Sequence, residues 1–533
     1  MPVDELTSDI RPGGSRHGSG PVAVGRWHPA ARWRCAKRGE RAWWVGLFAI
    51  ALLTGGSGWY TAWASPPYRA NDEQAHAGYV LELHAGRLPT VDTPIDVAEG
   101  GVELRIRVAA SGGPQHDVWV ANNPPVAYVL AAGPAAVTRA LGWTGGPLLG
   151  LRLTNLTCMV GAVVLVARLA RNLSGGDQRV ALVAGGLMAA IPHVGAIAGL
   201  GYTDGLGLLC SVAMVDLLTS IARRGPTRRL VAALAAWCAV GVGVRPMTAV
   251  LAAVVVAMAY GLVLLRGTVG RLWAAAVLGG PALVLNGWWY LRNQRLYGDP
   301  TGSDRLFEKF GRVSRSGPLA IVHDDVAWRE TLRTLFTRRL GIPLRSEPMS
   351  WWPPVKYGLP AVLVVAAAVV AYDQISARRR HAPARTPAPA WGAGAVVVAV
   401  TALLAAQHWA GGGLVHPRYL FPALMIFVTA AALVLVRLAT RWAGLALIEV
   451  FLLIQARQTA RINEYYAANP LGPARSALEL PIGSAVTLPI GPAWLRLLGV
   501  ALMVAGAVAF VAALTLVGRG GDPSRNPGAG PQV

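Results

Sequence analysis

The sequence predicts an all-α polytopic membrane protein, and three observations carry that expectation. Of the 533 residues 14% are charged and 54% hydrophobic, with a mean hydropathy of +0.43; a soluble chain carries roughly 25% charged residues to cover its water-facing surface. The apolar residues fall in blocks about 16–25 residues long, the length of a helix that crosses a bilayer. Arginine is distributed unequally over the alternate loops between those blocks. A soluble enzyme, a secreted disulfide scaffold and a disordered chain are excluded.

The formal net charge is +22, and only Lys37, Lys309 and Lys356 of the basic residues are lysine. In a membrane chain such an excess orients loops and meets anionic headgroups, so membrane lipids and not nucleic acid are the expected charge partners. The four cysteines show no metal-binding spacing, and three of them, Cys158, Cys210 and Cys238, lie in apolar blocks where thiols act as small hydrophobes.

Taken in order, the chain begins with a basic tail, 1–41, expected to be disordered and cytoplasmic. Twelve spans are expected near 42–64, 148–167, 180–198, 205–222, 230–245, 247–265, 272–290, 355–372, 391–409, 419–436, 442–456 and 493–517. With the tail inside, the short inner loops hold fifteen arginines, whereas the short outer loops hold two, Arg245 and Arg418. That asymmetry orients the chain and checks the span parity together, and it puts both termini in the cytoplasm. Counting the apolar block 123–142 as a span would invert every later loop, so it is expected to lie against the outer membrane face. Ala62, Trp63 and Ala64 resemble a signal cleavage site, but the tail before them is too long for an ordinary n-region, and the first span is expected to be retained. Outer loops 65–147, 291–354 and 457–492 are long. The domain expected is thus 42–517, followed by a disordered tail at 518–533.

Candidate chemistry gathers in the outer loops. The run Ser65-Pro66-Pro67-Tyr68-Arg69-Ala70-Asn71-Asp72-Glu73-Gln74-Ala75-His76 reads as a helix start, with Asn71 as N-cap, Asp72 and Glu73 in the acidic first turn and His76 one turn on. Gly86 and Pro89 supply the stop. The ordinary alternative is that Asp72 and Glu73 only cap a solvated helix, since acidic first turns are common. Asn122-Asn123-Pro124-Pro125-Val126-Ala127-Tyr128 opens the surface-lying block. Gly201-Tyr202-Thr203-Asp204 sets an acid at the outer end of a span, where polar groups are costly and tend to be functional. The run 286–300, with Asn293, leaves the seventh span through an aromatic belt. His416-Pro417-Arg418-Tyr419-Leu420-Phe421-Pro422 stands at the mouth of the tenth span. Arg418 defies the positive-inside bias, and a guanidinium there suits a phosphate through a bidentate contact; headgroup snorkelling is its ordinary alternative.

In this order the motifs resemble the GT-C superfamily of integral-membrane glycosyltransferases, specifically its bacterial branch with a Pro-Pro…Asp-Glu-x-x-His first outer loop. The resemblance extends over about residues 60–440. It implies a GT-C-like bundle of about twelve helices with juxtamembrane helices in the long first outer loop, in the cell inner or plasma membrane. It also implies a polyprenyl-phosphate-sugar donor and a glycan, lipid or protein acceptor. Asp72 or Glu73 matches the family's acidic motif and is expected to be catalytic. Pro124, Pro125 and Tyr128 match its Pro-Pro-x-x-Tyr stretch, and Arg418, Tyr419 and Pro422 its Arg-Tyr-x-x-Pro stretch. Substrate binding is expected of Arg69, His76, Tyr128, Asp204, Asn293, His416, Arg418 and Tyr419.

Such a transfer needs one base for the acceptor hydroxyl and one cation for the phosphate that leaves, and a single displacement inverts the anomeric centre. No cofactor is expected. Asp72 and His76, with His84, His116 or Asp204, offer divalent-cation ligands, but at loose spacing. Two other classes stay open: a twelve-span transporter or flippase of lipid-linked saccharides, and a surface-polysaccharide polymerase or ligase. Midplane charges are few, with Glu449 foremost and Arg152 nearer a helix end, which sets the chain apart from most transporters.

Overall fold

The computed structural model describes residues 29–519 except 69, 71, 110–112, 144, 267–269, 316, 337–351, 383, 385, 414–415 and 469–491. The expectations for most of both tails, for Arg69 and Asn71, and for most of loop 457–492 lie outside the described residues. Among the described residues there are helices, turns and one isolated bridge between Pro94 and Asp117, and no strand. The all-α polytopic expectation holds.

The chain enters through α1 (Pro29–Ala64), followed in the first loop by α2 (Glu73–His84), α3 (Gly101–Ala109) and α4 (Val126–Ala140). The membrane-sized block continues with α5 (Pro147–Leu173), α6 (Gln178–Ala190), α7 (Pro192–Ala198), α8 (Asp204–Arg224), α9 (Arg228–Val242), α10 (Pro246–Arg266) and α11 (Arg271–Tyr297). Short helices α12 (Ser303–Lys309) and α13 (Asp325–Phe336) precede α14 (Trp352–Arg379), α15 (Ala388–Ala410), α16 (Phe421–Leu438), α17 (Arg441–Ala468) and α18 (Ala493–Arg519).

Each expected span falls on helix, but not every helix is long and apolar enough to cross. Among the described residues nine are, or ten if α6 and α7, bent by 67° at Ile191, make one broken span. Two of the expected spans, 230–245 and 442–456, fall on helices that do not meet that measure of length and apolarity. Helix α9 has 15 residues, about 22 Å at 1.5 Å per residue, against a hydrocarbon core near 30 Å. Helix α17 runs 28 residues, but Glu449, Gln455 and Arg457 interrupt its apolar stretch. The block 123–142 holds α4, also 15 residues and too short to cross. Its outer side exposes Val129, Leu130, Val137 and Leu141, while its inner side meets α5 so closely that a Cβ on Gly150 would lie 2.3 Å from the Ala135 nitrogen.

Burial is greatest along α5, α6 and α8, which form the centre of the main apolar cluster. Lipid offers no hydrophobic drive between helices, so close backbone contact and polar links hold them together. The longest contact, α1 against α18, is such a seam. A Cβ on Gly499 would lie 2.8 Å from the Tyr60 nitrogen, and one on Gly506 2.9 Å from the Leu53 nitrogen. Asn155 on α5 supplies the polar link that matters most for the site. Its Nδ2 donates to the carbonyls of Ile197 (2.7 Å) and Leu200 (3.0 Å), and its Oδ1 accepts the Gly205 N–H (2.7 Å). One side chain thereby fixes the turn 199–203 and the start of α8.

Gly499→Leu is expected to separate α1 from α18, because the new side chain meets the backbone of Gly56 and Tyr60 and the Tyr60 Cβ, none of which can swing aside. Thermal unfolding of the detergent-solubilised protein should show a midpoint lower by several degrees; an unchanged midpoint contradicts the seam.

Candidate active site

Three carboxylates converge where the first loop meets the ends of α5, α8, α10 and α16, and each is paired with an arginine far away in sequence. Glu73 is fully buried. Arg152 Nε donates to its Oε1 and Nη2 to its Oε2, both at 2.9 Å, and the Gly201 N–H reaches Oε1 at 2.9 Å. Arg152 also donates to the carbonyls of Ala62 (2.7 Å), Ser65 (2.8 Å) and Pro66 (3.2 Å). This arginine therefore closes the end of α1, shapes the Ser65-Pro66 turn and anchors the start of α2.

Asp204, the first residue of α8, is gripped in the same bidentate way. Arg245 Nη1 and Nη2 donate to its two oxygens at 2.7 Å each, and Arg245 Nε donates to Thr203 Oγ1 at 2.7 Å. Asp72 differs: among the described residues it has one such bond, from Arg418 Nη2 to Oδ2 at 2.8 Å, and its side chain stays 24% exposed. Arg418 has spare capacity as well, since its Nε–H is buried without a partner.

The expected cap of α2 is corrected here. The N-cap position belongs to Asp72, not Asn71; Asp72 has φ 74° and makes no side-chain cap bond. Its carboxylate turns instead to Arg418, where donor and acceptor are both ionised. A non-glycine residue in the left-handed region carries backbone strain, which a surrounding structure must hold in place. Glu73 does not cap either, being held by Arg152.

Burial raises the Asp72 carboxyl, but the charge and hydrogen bond of Arg418 outweigh it, so the group lies below the usual carboxylate range. His76 is buried one turn along α2, and its Nδ1 lies 2.9 Å from the Tyr128 hydroxyl. Its ring is stacked 5.7 Å from Tyr128 and tilted 5.5 Å from Tyr202. Burial pushes its pKa down to about 3, against the opposing pull of Asp72, so the imidazole is neutral. Tyr128 stacks in turn on Tyr79 at 3.8 Å, and Arg418 lies 5.2 Å over the Tyr202 ring. An aromatic ladder thus runs from α4 through His76 to the guanidinium.

Beside this cluster lies a small cleft, polar at one end and apolar at the other. Asp204, Arg245, Arg418 and Tyr419 line the first part; Leu208, Leu251, Met247 and Phe421 line the second, and Ser211 and Thr248 add hydroxyls. Tyr419 packs edge-on to His408 at 4.9 Å. His416 Nδ1 accepts the Arg418 N–H at 3.4 Å and caps the Pro417–Leu420 turn.

The structure therefore brings Asp72, Glu73, His76, Tyr128, Asp204, His416, Arg418 and Tyr419 into one neighbourhood. Asn293 is elsewhere: its Nδ2 donates to the Asn122 carbonyl at 3.0 Å, tying α11 to the first loop. Arg69 lies outside the described residues. The sequence analysis named Arg152, Tyr202 and Arg245 without assigning them to the site, and it passed over Asn155 and the fully buried His193, whose ring lies 5.0 Å from His416. The only signal for Arg152 and Asn155 was a charge and an amide three residues apart in an otherwise apolar span. Among the described residues no group of three His, Cys, Asp or Glu side chains is arranged to hold a metal.

No family model matches the chain, and no curated protein matches it. Among solved structures it is similar to ArnT from Cupriavidus metallidurans in the apo state, at 16% identity and a TM-score of 0.44, over 89% of this chain and 78% of that one. It is also similar to the oligosaccharyltransferase AglB from Archaeoglobus fulgidus with an inhibitory peptide and a dolichol-phosphate, at 12% identity and a TM-score of 0.38, over 83% and 56%. An oligosaccharyltransferase from Archaeoglobus fulgidus in complex with zinc and sulfate gives 16% and 0.34, over 63% and 44%. The chain thus spans about half the length of the oligosaccharyltransferases it matches.

Two outcomes follow from this geometry. Glu73→Gln leaves the buried Arg152 charge without a carboxylate and should cost about 3–5 kcal/mol, whereas Asp72→Asn, at a partly exposed pair, should cost at most about 1 kcal/mol. Unfolding midpoints of the two variants measure the contrast, and equal midpoints contradict it. His76 titrates near the ordinary 6.5 when unfolded and near 3 when folded, so the unfolded chain binds the proton first. Stability is full above about pH 6.5 and falls as pH drops through the window toward 3. The unfolding midpoint should therefore fall between pH 7 and 5, and less steeply in His76→Gln.

Proposed function

We propose that the protein is a membrane glycosyltransferase that moves a sugar from a polyprenyl-phosphate donor to a hydroxyl of a cell-envelope glycan, lipid or protein. The observation that carries this reading is the unequal saturation of the three ion pairs. Glu73 and Asp204 have both oxygens bonded to guanidinium groups. Asp72 keeps an oxygen without a partner among the described residues, beside an arginine with an unpartnered N–H. A free carboxylate oxygen is what a base needs, and a spare guanidinium N–H is what a phosphate needs.

In this reading the polar end of the cleft takes the phosphate against Arg418, with Arg245 adding positive field, and the apolar end takes the first isoprene units. Asp72 accepts the acceptor's hydroxyl proton as that oxygen bonds to the anomeric carbon. The bond from that carbon to the phosphate oxygen breaks, and polyprenyl phosphate leaves with one more negative charge, balanced by Arg418. A single displacement of this kind inverts the anomeric centre. Glu73 and Arg152 position the start of α2, and neutral His76 with Tyr128 forms the wall behind the base. The resemblance in motif order agrees with this class, and the arginine asymmetry of the loops supports an extracytoplasmic site with both termini inside.

The broken pair α6–α7 is the feature a lipid-saccharide flippase would use. Membranes given radiolabelled polyprenyl-phosphate sugars separate the readings, because transfer to an acceptor without net transport selects the enzyme. Asp72→Asn should lower transfer by about 10²–10⁴-fold, the usual contribution of a positioned base, with no more than the small change in unfolding expected of a partly exposed pair. Near-normal transfer by that variant would remove the assignment.

A further inference from the structure

The bond between Asp72 and Arg418 joins the two groups that the transfer needs apart. While Arg418 Nη2 donates to Asp72 Oδ2 at 2.8 Å, the guanidinium is partly engaged and the carboxylate is partly neutralised. The other two arginines cannot change partners so easily. Arg152 is 4% exposed and bonds from Nε, Nη1 and Nη2; Arg245 likewise bonds from all three nitrogens. Arg418 alone of the three holds its carboxylate through one nitrogen, keeps Nε–H unpartnered, and lines the cleft. Asp72 reaches it from a left-handed backbone conformation, which stores strain in the contact.

We propose that Arg418 is handed from the Asp72 carboxylate to the phosphate of the donor, so that the donor must bind before Asp72 can take the acceptor's proton. The handover rests on the donor class assigned above. A phosphodiester at the cleft mouth offers the guanidinium two oxygens in the fork geometry it prefers, against the single oxygen of Asp72. Once the guanidinium turns to the phosphate, the titratable groups facing Asp72 are His76 on its own helix, Tyr202 in the turn before α8, Asp204 at the start of α8, and Tyr128 on α4. His76 is neutral and Asp204 is held by Arg245, so the carboxylate loses its nearest positive partner. Arg418 has been keeping its proton affinity low; without that contact it rises, and Asp72 becomes a better base when the sugar is in place. In the empty site the same contact keeps the base from activating water or a lone acceptor.

Binding of farnesyl phosphate, a single-chain isoprenyl phosphate, to the purified full chain in detergent tests the handover. If Asp72 competes for Arg418, Asp72→Asn should bind farnesyl phosphate about tenfold more tightly than the wild type. Arg418→Gln should bind it more weakly, and adding Asp72→Asn to Arg418→Gln should restore nothing, as a double-mutant cycle requires of a direct coupling. Equal affinity of wild type and Asp72→Asn overturns the handover and leaves the donor class standing. So does a gain that persists without Arg418, since that marks plain repulsion between carboxylate and phosphate. A wild type that does not bind farnesyl phosphate overturns the donor class and the handover with it. Unfolding midpoints accompany each measurement, and Asp72→Ser replaces Asp72→Asn should the latter fail to fold.

Discussion

The buried bond between Arg152 and Glu73 is the contact on which the rest of this site depends. In a low-dielectric interior an unpaired charge is intolerable, and a paired one holds only if its remaining donors and acceptors are satisfied. Arg152 meets that condition through Glu73 and three carbonyls at the end of α1, and Glu73 through the Gly201 N–H. The result is a rigid corner where α1, α2, α5 and the turn before α8 meet. Asp72 is the residue next to that corner, so its reach toward Arg418 is set by the anchoring of Glu73.

Saturation sorts three otherwise similar ion pairs into different kinds. A bidentate, fully bonded carboxylate in a dry environment is structural, because any reaction at it must first break strong bonds. A monodentate pair at the edge of a cleft is exchangeable. The aromatic wall of Tyr128, His76 and Tyr202 keeps water from the exchangeable pair on one side. A neutral imidazole is the form that burial imposes there, so the wall adds no competing charge.

The helices around this corner obey the rules of lipid more than those of a water-soluble core. Small residues let α1 and α18 approach to backbone contact, and Asn155 replaces a water-mediated network with one amide that binds three backbone groups. The bend between α6 and α7 carries His193 into the polar corner, and its two ring nitrogens find no partner among the described residues. Irregular backbone at such depth is tolerated only where protein surrounds it, as it does here.

The sequence alone determined the all-helical polytopic class, because blocks of apolar residues longer than a soluble helix needs have no other stable use. It also singled out Asp72, Glu73 and Arg418: two acids close behind a span, and an arginine on the side that charge asymmetry leaves poor in arginine. What it could not decide was which acid meets which arginine. Glu73 and Arg152 are 79 positions apart, and Asp72 and Arg418 are 346. No periodicity encodes such a pairing. Asn293 looked like its neighbours in kind and lies instead at a structural joint. The tertiary structure alone decided which charges are satisfied and which are spare. Electrostatic pairing acts through space and depends on burial and geometry, neither of which is a property of neighbours along a chain.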